Sequence, residues 1–347
     1  MRSTTALTDL RPDRPADLAR AISIVENGRP GFEALLSALH PKVGRARRIG
    51  ITGPPGAGKS TLTYQLATRL RGQGLSVAIV AVDPTSPFTG GALLGDRIRM
   101  EAVSLDPGVF IRSMATRGSL GGLATTTREV TDVLDAAGFD RILIETVGVG
   151  QSELDVAKMA DTTVLVLVPE SGDGIQTLKS GVMEIADIFV VNKADRPGAE
   201  KLQAEIDVAL GIRKGNAFRR VKAHHGVSLK KAGAAPPPPA PDAGPVWDQP
   251  VLLTSATQGD GVDPVLEAIG KHFDFLTSTG ELADRRRRRL LLRTREVVGR
   301  AMDRWLWRES QAEALINDRM DDMVAGRLSP YEVAAEVVAG LKEGVRI

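Results

Sequence analysis

Ile49-Gly50-Ile51-Thr52-Gly53-Pro54-Pro55-Gly56-Ala57-Gly58-Lys59-Ser60-Thr61 is the stretch whose reading decides the fold. Gly53 to Ser60 fits G-x-x-x-x-G-K-[ST], the pattern of a loop that cradles phosphate. Glycines let successive backbone N–H groups converge on an anion, and the helix that follows offers its positive N-terminal end. Lys59 reaches the outer phosphates, Ser60 is placed to ligate magnesium, and Gly53 through Thr61 together form the candidate nucleotide cradle. A glycine-rich turn with no ligand is the plain alternative, so the flanks decide. Before the loop, Ile49-Gly50-Ile51 reads as a strand. After it, Leu62, Leu66, Ala67 and Leu70 give Ser60 to Leu70 a helical apolar period. Strand, loop and helix come in the order that a phosphate loop requires.

Downstream, apolar runs alternate with helical segments, which predicts an α/β fold with a mostly parallel central sheet flanked by helices. Val77 to Val82 is a second buried strand and stops at Asp83-Pro84. That puts Asp83 at a strand's carboxyl end, where open α/β sheets bind ligands, although a turn aspartate occurs there too. Leu94-Gly95-Asp96-Arg97 lies in a glycine-containing loop with the composition of a switch. Val109 to Arg112 reads as a strand, and Arg141 to Ile144 as another, ending in Glu145-Thr146-Val147-Gly148. An acid at this place holds magnesium in NTPases, while a glycine three residues later donates its N–H to the terminal phosphate. Glu145 and Gly148 have that spacing. Thr162 to Val168 is a further strand and opens onto the polar loop containing Asp173, Gln176 and Lys179.

Ile188 to Val191 leads into Asn192-Lys193-Ala194-Asp195, which fits the N-K-x-D pattern of guanine recognition. A carboxylate at Asp195 accepts from guanine N1–H and the 2-amino group, which adenine does not offer. Asn192 is expected at the purine edge and Lys193 over the ring. Val251 to Leu253 forms a last strand ending in Thr254-Ser255-Ala256-Thr257, which resembles the short S-A loop of GTPases, whose backbone contacts the guanine carbonyl. These patterns favour GTP or GDP as the bound nucleotide, with Mg2+ beside it.

The outer parts of the chain frame this nucleotide domain. The 347 residues are 42% hydrophobic, enough for a sizeable core with appendages. Lys and Arg number 45 against 43 Asp and Glu, a net +2 that gives no reason to expect nucleic acid or an acidic membrane. There is no cysteine, which excludes disulfides and thiolate metal sites and is compatible with a reducing compartment. The first residues lack the apolar core of a secretory signal, and no window approaches the ~20 apolar residues of a membrane span. A cytoplasmic location is expected. Residues 1–44 read as an N-terminal helical extension, 45–279 as the nucleotide domain with a proline-rich surface insertion at about 214–250, and 280–347 as a helical arm. In the arm, Leu290, Leu291, Val297, Val298, Ala301, Met302 and Trp305 form an apolar stripe, which predicts packing on a second subunit. The run Arg285 to Arg289 reads as the solvated face of that helix.

Taken together, GPPGAGKST, AVDPTSP, LLGDRIRM, TRGSLGGL, IETVGVGQSE, ESGDGIQTLK, NKAD and TSA resemble the methylmalonyl-CoA mutase-associated GTPases, the MeaB-type branch of the metallochaperone-like G proteins. The resemblance runs from about Ala16 to the C-terminus. It implies a GTPase chaperone that gates cobalamin loading into, and protects, an adenosylcobalamin-dependent acyl-CoA mutase. It also implies that Asp83, Asp96 and Glu145 are the magnesium and switch carboxylates, that Asp173, Gln176 and Lys179 form an additional switch loop, and that Asn192, Lys193, Asp195 and Ser255 to Thr257 recognise the base. Val149 follows Gly148 where Ras-like proteins carry the glutamine that orients water, so Gln151 or the Asp173 to Lys179 loop is expected to complete the catalytic site. A solvated helix face is the other reading of Lys179. The proline-rich insertion is longer than the resemblance leads one to expect.

Two other functions fit a phosphate loop. A nickel or cobalt insertion GTPase normally carries cysteine or histidine clusters, and this chain has only His224-His225 adjacent and no cysteine. A transport-accessory ATPase or kinase is opposed by Asp195 and by the missing membrane segment. A nucleotide-sensing scaffold without turnover is the third alternative.

Overall fold

A computed structural model of the protein describes residues 9–83, 103, 105–115, 122–146, 152–169, 182–213 and 245–344. The chain divides into two compact units, 1–283 and 284–347. The first is built on a seven-stranded sheet of order β3-β2-β4-β1-β5-β6-β7, in which every pairing is parallel. Its strands are β1 Arg47–Thr52, β2 Val77–Asp83, β3 Val109–Ala115, β4 Arg141–Thr146, β5 Thr162–Leu167, β6 Ile188–Asn192 and β7 Val251–Thr254. The phosphate-loop strand therefore lies between β4 and β5.

Parallel strands are covered on both faces and so read as near-continuous apolar runs. Side chains alternate between faces along each strand. In β4, Leu143 packs with helices α3 (Lys59–Gly72) and α8 (Val262–Ser278). Its neighbours Ile142 and Ile144 point the other way, into the core made by α1 (Pro15–Glu26), α2 (Phe32–Leu39), α4 (Gly122–Ala136) and α5 (Ser152–Met159). Farther along the sheet, Leu165, Leu167, Phe189 and Val191 pack against α6 (Val182–Ile185) and α7 (Ala199–Arg213). The leading helices thus share the sheet's core, burying Leu18, Ile22, Val25, Leu35 and Leu39.

An ionic lock joins α4 to the phosphate-loop strand. The Arg48 guanidinium donates to Asp132 at 2.8 Å and to Asp135 at 2.7 Å. Asp135, wholly buried, also accepts from the N–H groups of Gly44, Arg45 and Ala46. At the other side of the same strand residue, Asp161 accepts the Arg48 N–H at 3.1 Å.

Residues 214–244 of the proline-rich insertion lie outside the described residues. On its return the chain lays Trp247 against His272 and Phe275, with ring centroids 4.8 and 5.6 Å apart, and the Trp247 indole N–H donates to the Asp187 carbonyl.

The second unit contains most of α9 (Glu281–Arg304), then α10 (Ala312–Asp318), α11 (Met320–Val324) and α12 (Pro330–Gly344). The sequence predicts an unbroken helix through Trp305. Instead the α-helix ends at Arg304 and a π turn spans Trp305–Glu309, closed by the Ser310 N–H to the Trp305 carbonyl and by Ser310 Oγ to the Leu306 carbonyl. Between α10 and α11 stands Arg319, whose guanidinium pairs with Glu336 of α12.

Candidate functional site

Three strand ends build the site. β1 leads into the phosphate loop, β4 ends at Glu145-Thr146, and β6 ends at Asn192. Gly53, the first residue past β1, has φ of +139°, and a Cβ there would stand 2.0 Å from the Val166 carbonyl oxygen. Only glycine lets β1 turn this close to β5. Gly58 caps α3 at φ +87°, and a Cβ on it would meet Asn192 Nδ2 at 2.3 Å. Gly56 is also left-handed, at +73°.

Lys59 is buried at the start of α3, and its ammonium donates to the carbonyls of Gly53 and Pro54, both at 2.9 Å. The loop is thus curled around its own lysine. Ser60 Oγ donates to Glu145 Oε1 at 2.5 Å, which joins the loop to the end of β4. Beside them, the buried hydroxyls of Thr52 and Thr146 meet at 3.0 Å, and this tie between β1 and β4 was not singled out from the sequence. A threonine closing each buried strand, one residue before Gly53 and two before Gly148, was the available signal. Ser60 and Glu145 offer hard oxygen donors side by side, the ligand type that magnesium takes. Among the described residues, no group of three His, Cys, Asp or Glu stands together as a metal site.

Asn192, expected at the purine edge, bonds with two loops of the site. Its Nδ2 donates to the Ala57 carbonyl at 2.7 Å, while its Oδ1 accepts from Thr254 Oγ1 at 3.1 Å and from the Ala256 N–H at 3.0 Å. The side chain is a strut between the phosphate loop and the Thr254-Ser255-Ala256 loop. It takes this role because β6 and β7 pair in register through Asn192 and Thr254. Lys193 next to it has φ of +58°, a left-handed conformation that a non-glycine residue holds at a cost of about 1–3 kcal/mol and that is typical of functional sites. The Ala194 N–H then donates to the Thr254 carbonyl at 2.9 Å, which fixes the turn, and Asp195 stands exposed beyond it. Ser255 and Ala256 are buried, whereas Thr257 is exposed. Arg69 of α3 braces the same loop by donating to the Gly259 carbonyl at 2.9 Å and to Asp263 at 2.6 Å.

These parts enclose a cavity of about 350 Å³, lined among others by Gly56, Lys59, Ser60, Glu145, Lys193 and Thr257. Its volume falls within the range of small-molecule sites. Phosphate-loop residues make one end, and Asn192, Lys193 and Thr257 the other. Asp83 closes β2 two strands from the loop. Asp96, Gly148, Gln151, Asp173, Gln176 and Lys179 lie outside the described residues.

A parallel sheet with this loop at its centre and an N-K-x-D turn at the end of β6 defines a P-loop GTPase. The description "Methylmalonyl Co-A mutase-associated GTPase MeaB" matches residues 18–311, and the chain belongs to this family. A Pyrococcus horikoshii protein that carries a GTPase name is 45% identical over 325 residues, 93% of this chain and 92% of its own length. The mouse protein named methylmalonic aciduria type A homolog, mitochondrial, is 34% identical over 325 residues, covering 89% of this chain and 69% of its own. Among solved structures, the LAO/AO transport system kinase aligns with a TM-score of 0.64 at 26% identity, over 98% of this chain and 96% of that one.

Proposed function

We propose that the chain hydrolyses GTP to gate cobalamin loading into, and to protect, an adenosylcobalamin-dependent acyl-CoA mutase, with methylmalonyl-CoA mutase the first candidate. The family description and the name of the mouse relative support the mutase as partner. The observation that carries the nucleotide half is the strut at Asn192, which ties the phosphate loop directly to the guanine-recognition turn.

In this reading Gly53 to Thr61 hold the phosphates, and Asn192, Lys193, Asp195 and Ser255 to Thr257 form the base end. Ser60, Asp83, Asp96 and Glu145 would hold Mg2+, which would neutralise charge on the phosphate oxygens. The Lys59 ammonium, which has three donors, would donate to the outer phosphates. Gln151, Asp173, Gln176 and Lys179 complete catalysis when the mutase docks, so hydrolysis by the isolated chain is slow. The protein works in the cytoplasm as a homodimer through residues 280–347.

Phosphate release from GTP and from ATP, measured with and without methylmalonyl-CoA mutase, tests the proposal. GTP is expected to be turned over in preference to ATP, and mutase to raise that turnover by about an order of magnitude. A rate indifferent to mutase removes the chaperone reading. Equal use of the two nucleotides removes the base assignment.

A further inference from the structure

The starts of the central strands lie at the opposite end of the sheet from the nucleotide, and a second cavity opens there. It has a volume of about 570 Å³, and its wall includes Arg47, Arg141, Leu70, Leu266 and Ile269. None of these residues has a part in the GTP site. Arg47 and Arg141 are register partners on β1 and β4. Neighbouring strands run about 4.8 Å apart, and register partners share a face. Like charges set directly opposite each other destabilise a sheet. The Arg141 guanidinium is held below its ordinary pKa, first by burial and then by the charge of Arg47.

Asp263 and Glu267 belong to the same wall, and the Asp140 charge partly offsets that of Arg47 at Arg141, but each of the three carboxylates has a closer partner. Asp263 is bound to Arg69 at 2.6 Å and Glu267 to Lys271 at 2.7 Å. Asp140 accepts from the Ser76 N–H and hydroxyl at 2.8 and 2.7 Å. Asp274 approaches Arg47 only to 4.0 Å, with its side chain 75% exposed. Arg47 otherwise rests on the Phe273 ring at 4.1 Å, and Arg141 donates to the Asp140 carbonyl at 2.9 Å. Neither contact removes the repulsion between the two guanidinium groups. A carboxylate or phosphate between them would, because the planar guanidinium fork matches both groups.

We infer that this cavity binds a small organic anion, whose carboxylate or phosphate head bridges Arg47 and Arg141 while its apolar body rests on Leu70, Leu266 and Ile269. The cavity lies within the size range of small-molecule sites, and its mixed wall suits an amphiphilic ligand better than a bare ion.

The test uses the full chain saturated with GDP, so that the phosphate loop is occupied. Hexanoate and, separately, inorganic phosphate are titrated by calorimetry at low salt. Hexanoate should bind saturably at one site, and Arg141→Met and Arg47→Met should each weaken it about tenfold or more. Saturable phosphate binding without hexanoate binding, lost in the same variants, assigns the head group to phosphate. Failure of both anions to bind overturns the inference, as does equal binding in wild type and both variants. A melting curve guards against a variant that folds poorly. Wild-type protein should melt higher as hexanoate or phosphate is added, since a ligand of the native state stabilises it. A wild-type melting temperature unmoved by either anion overturns the site without reference to any variant.

Discussion

Asn192 and Asp195 belong to one tetrapeptide, yet their surroundings give them different work. Asn192 is 3% exposed and spends its amide on Ala57, Thr254 and Ala256. Asp195 is exposed. Replacing Asn192 by alanine leaves buried groups of two loops without that partner, at about 1–3 kcal/mol for each group stranded. Asn192→Ala should therefore weaken GDP and ADP alike, because it loosens the loop that holds the phosphates. Asp195→Asn should leave ADP affinity unchanged and cost GDP about 3 kcal/mol, the worth of two hydrogen bonds to a charged acceptor. Calorimetry with both nucleotides separates the two. Loss of GDP affinity alone in Asn192→Ala would return that residue to the purine edge. The same packing makes Gly58→Ala a second route to the loop. Its φ of +87° and the 2.3 Å approach to Asn192 Nδ2 leave no room for a methyl group, so GDP affinity should fall about tenfold or more.

At the scale of elements, β1 is held in place from both sides. Hydrophobic burial fixes its faces, while Arg48, Asp132 and Asp135 fix its entry to the sheet. Removing one partner of a buried ion pair costs about 3–5 kcal/mol, since the remaining charge is stranded. Asp135→Ala also deprives Gly44, Arg45 and Ala46 of an acceptor, so it should lower the urea midpoint of the full chain strongly, whereas Arg20→Ala on the exposed side of α1 should not. An Asp135→Ala midpoint equal to wild type would show the lock to be dispensable. The strands themselves were legible in the sequence because burial on both faces leaves continuous apolar runs at β1, β2, β4, β5 and β6. The phosphate loop and the N-K-x-D turn were legible because their glycines and polar residues recur at fixed spacing beside those runs. The lock was not. Arg48, Asp132 and Asp135 sit 84 and 87 positions apart in the chain, and nothing local distinguishes them from solvated charges until α4 packs on the sheet. The strut role of Asn192 was hidden for the same reason, since it depends on β6 and β7 being neighbours.

At the scale of the whole molecule, the outstanding feature is the apolar surface of the C-terminal unit. Leu290, Leu291, Val297, Val298 and Met302 are each between 41 and 55% exposed, and α9 buries no residue. Leu291 and Val298 are seven positions apart, as are Leu290 and Val297, which is the repeat of a seam between helices. Arginines at the positions between them keep the rest of the helix in water. Contiguous exposed apolar stripes of this kind mark interaction surfaces, and a second copy of the same helix offers a stripe of matching period. The full chain should therefore sediment as a dimer at tens of micromolar, and Val298→Glu should convert it to a monomer. GDP affinity should be the same in both, because every described residue of the nucleotide site lies within the 1–283 unit. A wild-type chain that sediments as a monomer would remove the homodimer from the proposed function, while a Val298→Glu chain that stays dimeric would move the interface away from this stripe.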